Sequence, residues 1–86
     1  MTDSEFDLLD ELYFVTPYNE LRQQINLPEQ EFEQTLLQLI GNGYVKVLFP
    51  DQDTEVPFEA EHFAAYREQY YLLATKAGLL AHNTAG

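Results

Sequence analysis

Cysteine and tryptophan are absent from the 86 residues, and Lys and Arg number four against fifteen Asp and Glu. The lack of cysteine excludes disulfides, thiolate metal centres and a thiol nucleophile, and points to an intracellular setting. The lack of positive charge leaves a formal net charge of -11. Such a surface repels DNA, RNA and anionic lipid, because binding a polyanion draws its long-range attraction from Lys and Arg that displace counterions. Solubility alone accounts for an acidic surface, and so does a basic partner. No apolar run approaches the roughly 20 residues needed to cross a bilayer. The first residues, MTDSEFDLLDEL, are acidic where a secretory signal is basic and then apolar, so a cytoplasmic protein is expected.

What is present is apolar enough to fold. Hydrophobic residues make up 45% of the chain and aromatics 14%, too many for a disordered acidic tail. The length fits one domain with a single small core, and neither a repeat nor a low-complexity linker divides it. Asp3 and Ser4 are N-cap types, and Phe6, Leu9, Leu12 and Tyr13 recur at helical spacing, predicting a helix over 4–14. Thr16 and Pro17 form a second start signal, predicting a helix over 17–25 that carries Tyr18, Leu21 and Ile25 and closes with a left-handed Asn26. After a turn at Leu27 and Pro28, a third helix over 28–41 has Phe32, Leu36, Leu39 and Ile40 as its core face. Gly41, Asn42 and Gly43 end it.

Residues 44–49 have strand composition, with either Tyr44, Lys46 and Leu48 or Val45, Val47 and Phe49 facing inward. The inserted segment 50–69 begins as an acidic, proline-containing loop over 50–58. It continues as a short helix over 59–68. A second strand over 70–74 is expected to pair antiparallel with 44–49. Thr75 then caps a short helix over 76–82, and the tail NTAG frays. The fold class that follows is α+β, with Phe6, Phe14 and Phe32 absorbed into the core.

The stretches TPYNELRQQINLPEQEFEQTLLQLIGNGYVKVLF at 16–49 and YYLLATKAGLL at 70–80 resemble the winged-helix variant of the helix-turn-helix, as found in bacterial regulators. The resemblance covers about half of the chain. GNGYVKVL is similar to the glycine turn and strand that follow the third helix in that family, and TKAG at 75–78 approximates the turn after its second wing strand. It implies a three-helix core, a two-stranded antiparallel wing and a short C-terminal helix. It also implies that helix 28–41 is the reading element, with basic residues around it holding phosphates.

Carried onto this chain, the outward stripe of that helix is Gln30, Gln34 and Gln38, flanked by Glu31 and Glu33. Gln can bond the adenine edge, but it is also an ordinary residue on any solvated helix face. Phosphate contacts would fall to Arg22, Lys46, Arg67 and Lys76, with Asp51, Asp53 and Glu55 in the wing opposing them. This charge departs from the family.

Chemistry is sparse. His62 and His82 lack metal-ligand spacing and read as ordinary surface residues. DQDTE at 51–55 lacks the glycine and late glutamate of an EF-hand loop, and GNG at 41–43 is a helix stop rather than a phosphate cradle. Acidic pairs on shared helix faces read as solvated surface. No enzyme activity, cofactor or metal is expected. The excess is aromatic, with six Tyr and six Phe, and Phe58, Phe63, Tyr66, Tyr70 and Tyr71 gather around the inserted segment. Aromatics among acids favour protein contact. The leading expectation is a module that binds protein, either itself as a homodimer or a basic partner, through 50–71 and the wing. A DNA-binding transcription regulator reading through Gln30, Gln34, Gln38 and Lys46 is the alternative. A small structural subunit of a larger complex is the third.

Overall fold

The computed structural model describes residues 1–85. It is α+β, with five α-helices and a four-stranded antiparallel sheet among the described residues. The helices are α1 (Asp3–Glu11), α2 (Tyr18–Gln24), α3 (Glu29–Gly41), α4 (Ala60–Tyr66) and α5 (Lys76–Ala85). The strands are β1 (Thr16–Pro17), β2 (Val45–Leu48), β3 (Glu55–Val56) and β4 (Tyr71–Ala74), in the spatial order β1-β4-β2-β3.

Helix α1 starts one residue earlier than expected. Thr2, not Asp3 or Ser4, is the N-cap: its hydroxyl accepts from the Glu5 N–H at 3.1 Å, and the Glu5 carboxylate accepts from the Thr2 N–H at 3.0 Å. This reciprocal capping box satisfies two otherwise orphaned donors. The helix also stops at Glu11 rather than running to 14, because the sheet captures the chain. The Leu12 carbonyl accepts from the N–H of Ala74, the last residue of β4, at 2.9 Å. Phe14 is therefore turned out of the core and is 83% exposed, against the expectation that it would be buried.

Thr16 does not cap a helix. It lies in β1 opposite Leu72, and its hydroxyl donates to the Phe14 carbonyl at 2.9 Å. Pro17 occupies the N-cap position of α2, and the first N–H of that helix, at Tyr18, is satisfied by the Tyr70 carbonyl at 3.0 Å. Asn26 is not left-handed, since no non-glycine residue has positive φ. Instead α2 ends in an extended Ile25, and residues 25–28 lead into α3 rather than two residues alone.

Helix α3 follows expectation closely. Phe32, Leu36 and Leu39 are buried, joined by Thr35, while Ile40 is half-buried. Its end is a Schellman closure: the Tyr44 N–H bonds the Leu39 carbonyl at 2.9 Å and the Gly43 N–H bonds the Ile40 carbonyl at 3.0 Å. That geometry needs a left-handed residue, and Gly43 supplies it with φ of 77°.

Strands β2 and β4 pair antiparallel as expected, with Val47 opposite Leu72 and Val45 opposite Ala74. The sheet is nevertheless wider than a two-stranded ribbon. β1 joins one edge through β4, and the inserted segment contributes β3 to the other, where Val56 lies opposite Val47. The loop expected over 50–58 is thus a hairpin. The Asp51 carboxylate holds its tip by accepting from the Asp53 N–H at 3.0 Å and the Thr54 hydroxyl at 2.9 Å. Of the two inward sets, Val45 and Val47 are buried, with Phe49 half-buried beyond them. Leu48, on the other face, is also buried. The helix expected over 59–68 is α4 followed by a 3-10 turn at Arg67–Gln69. Helix α5 extends past 82 to Ala85, so the tail expected to fray is helical, and Gly86 lies outside the described residues.

Candidate functional site

The aromatics of the inserted segment form a continuous run from the core to the surface. It begins where Tyr18 meets Phe32 edge-on at 5.7 Å and Phe63 at 5.9 Å. Phe63 packs on Tyr70 at 4.9 Å and on Phe58 at 5.4 Å. Tyr70 then meets Phe49 at 4.8 Å, Phe49 meets His62 edge-on at 4.8 Å, and His62 meets Tyr66 at 4.7 Å. Tilted and edge-on pairs of this kind add about 0.5–1.5 kcal/mol each beyond the area they bury.

The five aromatics singled out from sequence are separated by this arrangement. Phe63 and Tyr70 are core residues, each 2% exposed, and cannot themselves meet a partner; this corrects their assignment as contact residues. Phe63 is held inward by the helical period of α4, and Tyr70 by strand alternation with Leu72 and Ala74. Tyr71, one residue on, stands on the opposite face of the sheet and is half-buried. Phe58 is half-buried against Phe63. Tyr66 alone is exposed, at 45%.

Between α4 and the hairpin lies a cleft of about 280 Å³ lined by Phe49, Val56, Pro57, Glu59, His62 and Tyr70. Its mouth is continuous with a shallow surface formed by Glu59, Ala60, Glu61, His62, Ala65 and Tyr66. His62, expected as an ordinary surface residue, is half-buried here and its Nδ1 shares a 2.6 Å hydrogen bond with the Tyr70 hydroxyl. Burial pushes the Tyr70 hydroxyl pKa above its ordinary value, and the Glu59 carboxylate adds to the rise. The phenol therefore stays protonated, and a negative charge stands at the cleft wall. His62 escaped the sequence reading because its partner lies eight residues away, beyond the end of α4 and the 3-10 turn.

The outward face of α3 is exposed at Gln30, Gln34 and Gln38, with Glu31 exposed beside them and Leu37 at 39%. A shallow groove between this face and the start of α1 is lined by Thr2, Ser4, Glu31, Gln34, Thr35, Leu37 and Gln38. No cation lines it. The four cations are largely committed elsewhere. Arg67 pairs with Glu33 at 2.8 Å, Lys46 with Glu55 at 3.2 Å, and the Arg22 guanidinium lies 5.2 Å from the Phe32 ring centre. Arg67 also acts on Tyr18. Burial raises the Tyr18 pKa, and the nearby guanidinium partly offsets the rise.

His82, expected at the surface, is instead buried at the α1–α5 junction. Its ring stacks on Phe6 at 4.1 Å, its Nδ1 shares a 2.7 Å hydrogen bond with the Tyr13 hydroxyl, and Asn83 accepts from that hydroxyl at 3.0 Å. Its Nε2 approaches the Asp10 carboxylate at 3.3 Å without hydrogen-bond geometry. These contacts tie α5 to α1. Among the described residues, no three His, Cys, Asp or Glu side chains converge to hold a metal ion, and no helix is long and apolar enough to cross a membrane. Compared with models of protein families, with curated proteins and with solved structures, the chain has no match.

Proposed function

We propose that this chain is a non-enzymatic, cytoplasmic winged-helix module that binds a basic protein partner through the face made by the hairpin and α4. The fold reading is supported by three helices ahead of β2, a short α2–α3 connection and the antiparallel β2–β4 pair, with β1 and β3 as additions to the wing. The observation that carries the functional reading is an exposed Tyr66 beside an aromatic cleft lined by Glu59, with Glu61 on the adjoining surface. Aromatic area supplies the burial a contact needs, while the acids steer a cationic surface toward it. A basic partner fits better than a second copy, because two chains of charge -11 repel each other on approach.

Reading of DNA by Gln30, Gln34 and Gln38 is the weaker alternative. Lys46 and Arg67 are already paired with carboxylates, so phosphate binding would have to break those pairs. Two experiments separate the readings. Affinity capture from the source cell with wild-type, Tyr66→Ser and Leu80→Ser baits should recover a partner that only Tyr66→Ser loses. Titration with mixed duplex DNA at low salt should leave the amide spectrum unmoved. Salt-sensitive shifts along 29–41 would replace protein recognition by DNA recognition.

A further inference from the structure

The cleft behind Tyr66 carries a more specific assignment, which rests on the interaction reading above. At about 280 Å³ it has room for one large side chain. Its walls are the rings of Phe49, His62 and Tyr70 with Val56 and Pro57, and its one charged group is the Glu59 carboxylate. We infer that this cleft receives the guanidinium of an arginine presented by a basic protein segment, with the half-buried Phe49 and His62 rings as stacking walls, the buried Tyr70 behind them and Glu59 as the counter-ion.

Each alternative occupant meets a physical objection. An apolar side chain would fill the ring-lined space but leave the exposed Glu59 carboxylate to solvent, and so gain nothing from the one charge the cleft offers. A phosphate or carboxylate ligand would meet the Glu59 carboxylate in the cleft and the exposed Glu61 on the adjoining surface. An added β-strand has little edge to join, because β3 is two residues long and Pro57, which has no N–H, follows it. Arginine suits the site better than lysine. Its planar, weakly hydrated cation lies flat on aromatic rings and bonds a carboxylate with two parallel donors, where an ammonium offers a compact and strongly hydrated charge. The site is also preorganised, because the Tyr70–His62 hydrogen bond fixes the His62 ring and the Phe49–Tyr70 contact fixes Phe49.

The test is an amide NMR titration of the intact chain at low salt with a blocked Ala-Arg-Ala peptide and with its citrulline counterpart, which keeps the shape but loses the charge. The arginine probe should shift Phe49, Val56, Glu59 and His62, and the citrulline probe should not. Glu59→Gln, at an exposed position whose change does not threaten folding, should weaken the arginine probe about three- to tenfold. Glu20→Gln, on α2, should leave its affinity as it is. Equal binding of the two probes would overturn the assignment. So would shifts spread over the acids of α1 and α3, or affinity untouched by Glu59→Gln. A partner captured through Tyr66 whose binding ignores Glu59→Gln likewise overturns the arginine assignment while leaving the interaction reading in place; failure of wild-type capture removes the interaction reading itself.

Discussion

Gly78 is the position where helix propensity and packing disagree most sharply. It sits inside α5, where replacing Gly by Ala ordinarily gains about 1 kcal/mol. A Cβ at Gly78, however, would lie 2.1 Å from the Tyr44 carbonyl oxygen and 2.9 Å from its carbon. An ordinary carbon–oxygen contact is about 3.3 Å, so α5 would have to retreat by roughly 1.2 Å from the start of β2. The same carbonyl accepts from the Thr75 N–H at 2.9 Å, and the Thr75 hydroxyl donates to the Gly43 carbonyl at 2.6 Å, so the retreat stretches both bonds. Overpacking costs about 1–3 kcal/mol and each weakened hydrogen bond about 1 kcal/mol. After the helix gain is deducted, Gly78→Ala should destabilise by about 2–4 kcal/mol, a large share of the ~4–13 kcal/mol typical of this length. Urea unfolding followed by circular dichroism should move the midpoint down by about 1–4 M with its slope unchanged. Gly41→Ala is the control: it is also helical but has nothing within 4 Å of its Cβ, and it should be neutral or slightly stabilising. A Gly78→Ala protein as stable as wild type would refute the close packing of α5 on Tyr44.

Other expectations are simpler. Thr2→Ala removes the side chain of the α1 capping box and should cost about 1 kcal/mol in the same unfolding assay. Phe63→Ala should cost about 3–5 kcal/mol because the ring is a buried link of the aromatic run, whereas Phe14→Ser should change stability by less than about 0.5 kcal/mol. The Tyr18 and Tyr70 hydroxyls have folded pKa values raised above their ordinary value of about 10, so the neutral phenols belong to the folded state. Their contribution is fully present below pH about 10 and is lost as pH rises through the folded values. A site-resolved alkaline titration by NMR should therefore show Tyr18 and Tyr70 ionising together with loss of the helix signal; early ionisation of these two phenols with the fold intact would contradict their burial.

The elements readable in the sequence were those whose signals are local. Helix α3 has a strong 3.6-residue pattern and a Gly-Asn-Gly stop, and both its core face and its Schellman end follow from them. The β2–β4 pair was legible for the same reason, as two β-rich runs. What escaped was decided at a distance. Phe14 has helical spacing with the residues before it, yet the bond from Ala74 to Leu12 pulls the chain out of the helix. Pro17 does mark the start of α2, but Thr16 pairs with Leu72 at a sheet edge instead of capping that helix. His62 and His82 look solitary in sequence, and their partners Tyr70 and Tyr13 lie 8 and 69 residues away. For the candidate site, composition located the aromatic segment. Only packing divided it into the buried Phe63 and Tyr70, the exposed Tyr66 and the cleft between.

The scarcity of positive charge also takes on a sharper meaning once each cation is located. Arg67 follows α4 and reaches Glu33 on α3, so its ion pair clips the inserted segment to the helix core beneath Tyr18. Lys46 and Glu55 perform the same service across the hairpin, and Arg22 lies over Phe32. Partly exposed pairs of this kind contribute at most about 1 kcal/mol each, so they do not hold the fold together. Their effect on recognition is larger. With three of four cations facing internal partners, a phosphate must displace Glu33 or Glu55 to reach Arg67 or Lys46, and nearly all of the uncompensated charge on the surface is negative. A surface of that kind selects cations by default. In the proposed recognition, the cleft at Glu59 is where that preference would acquire walls.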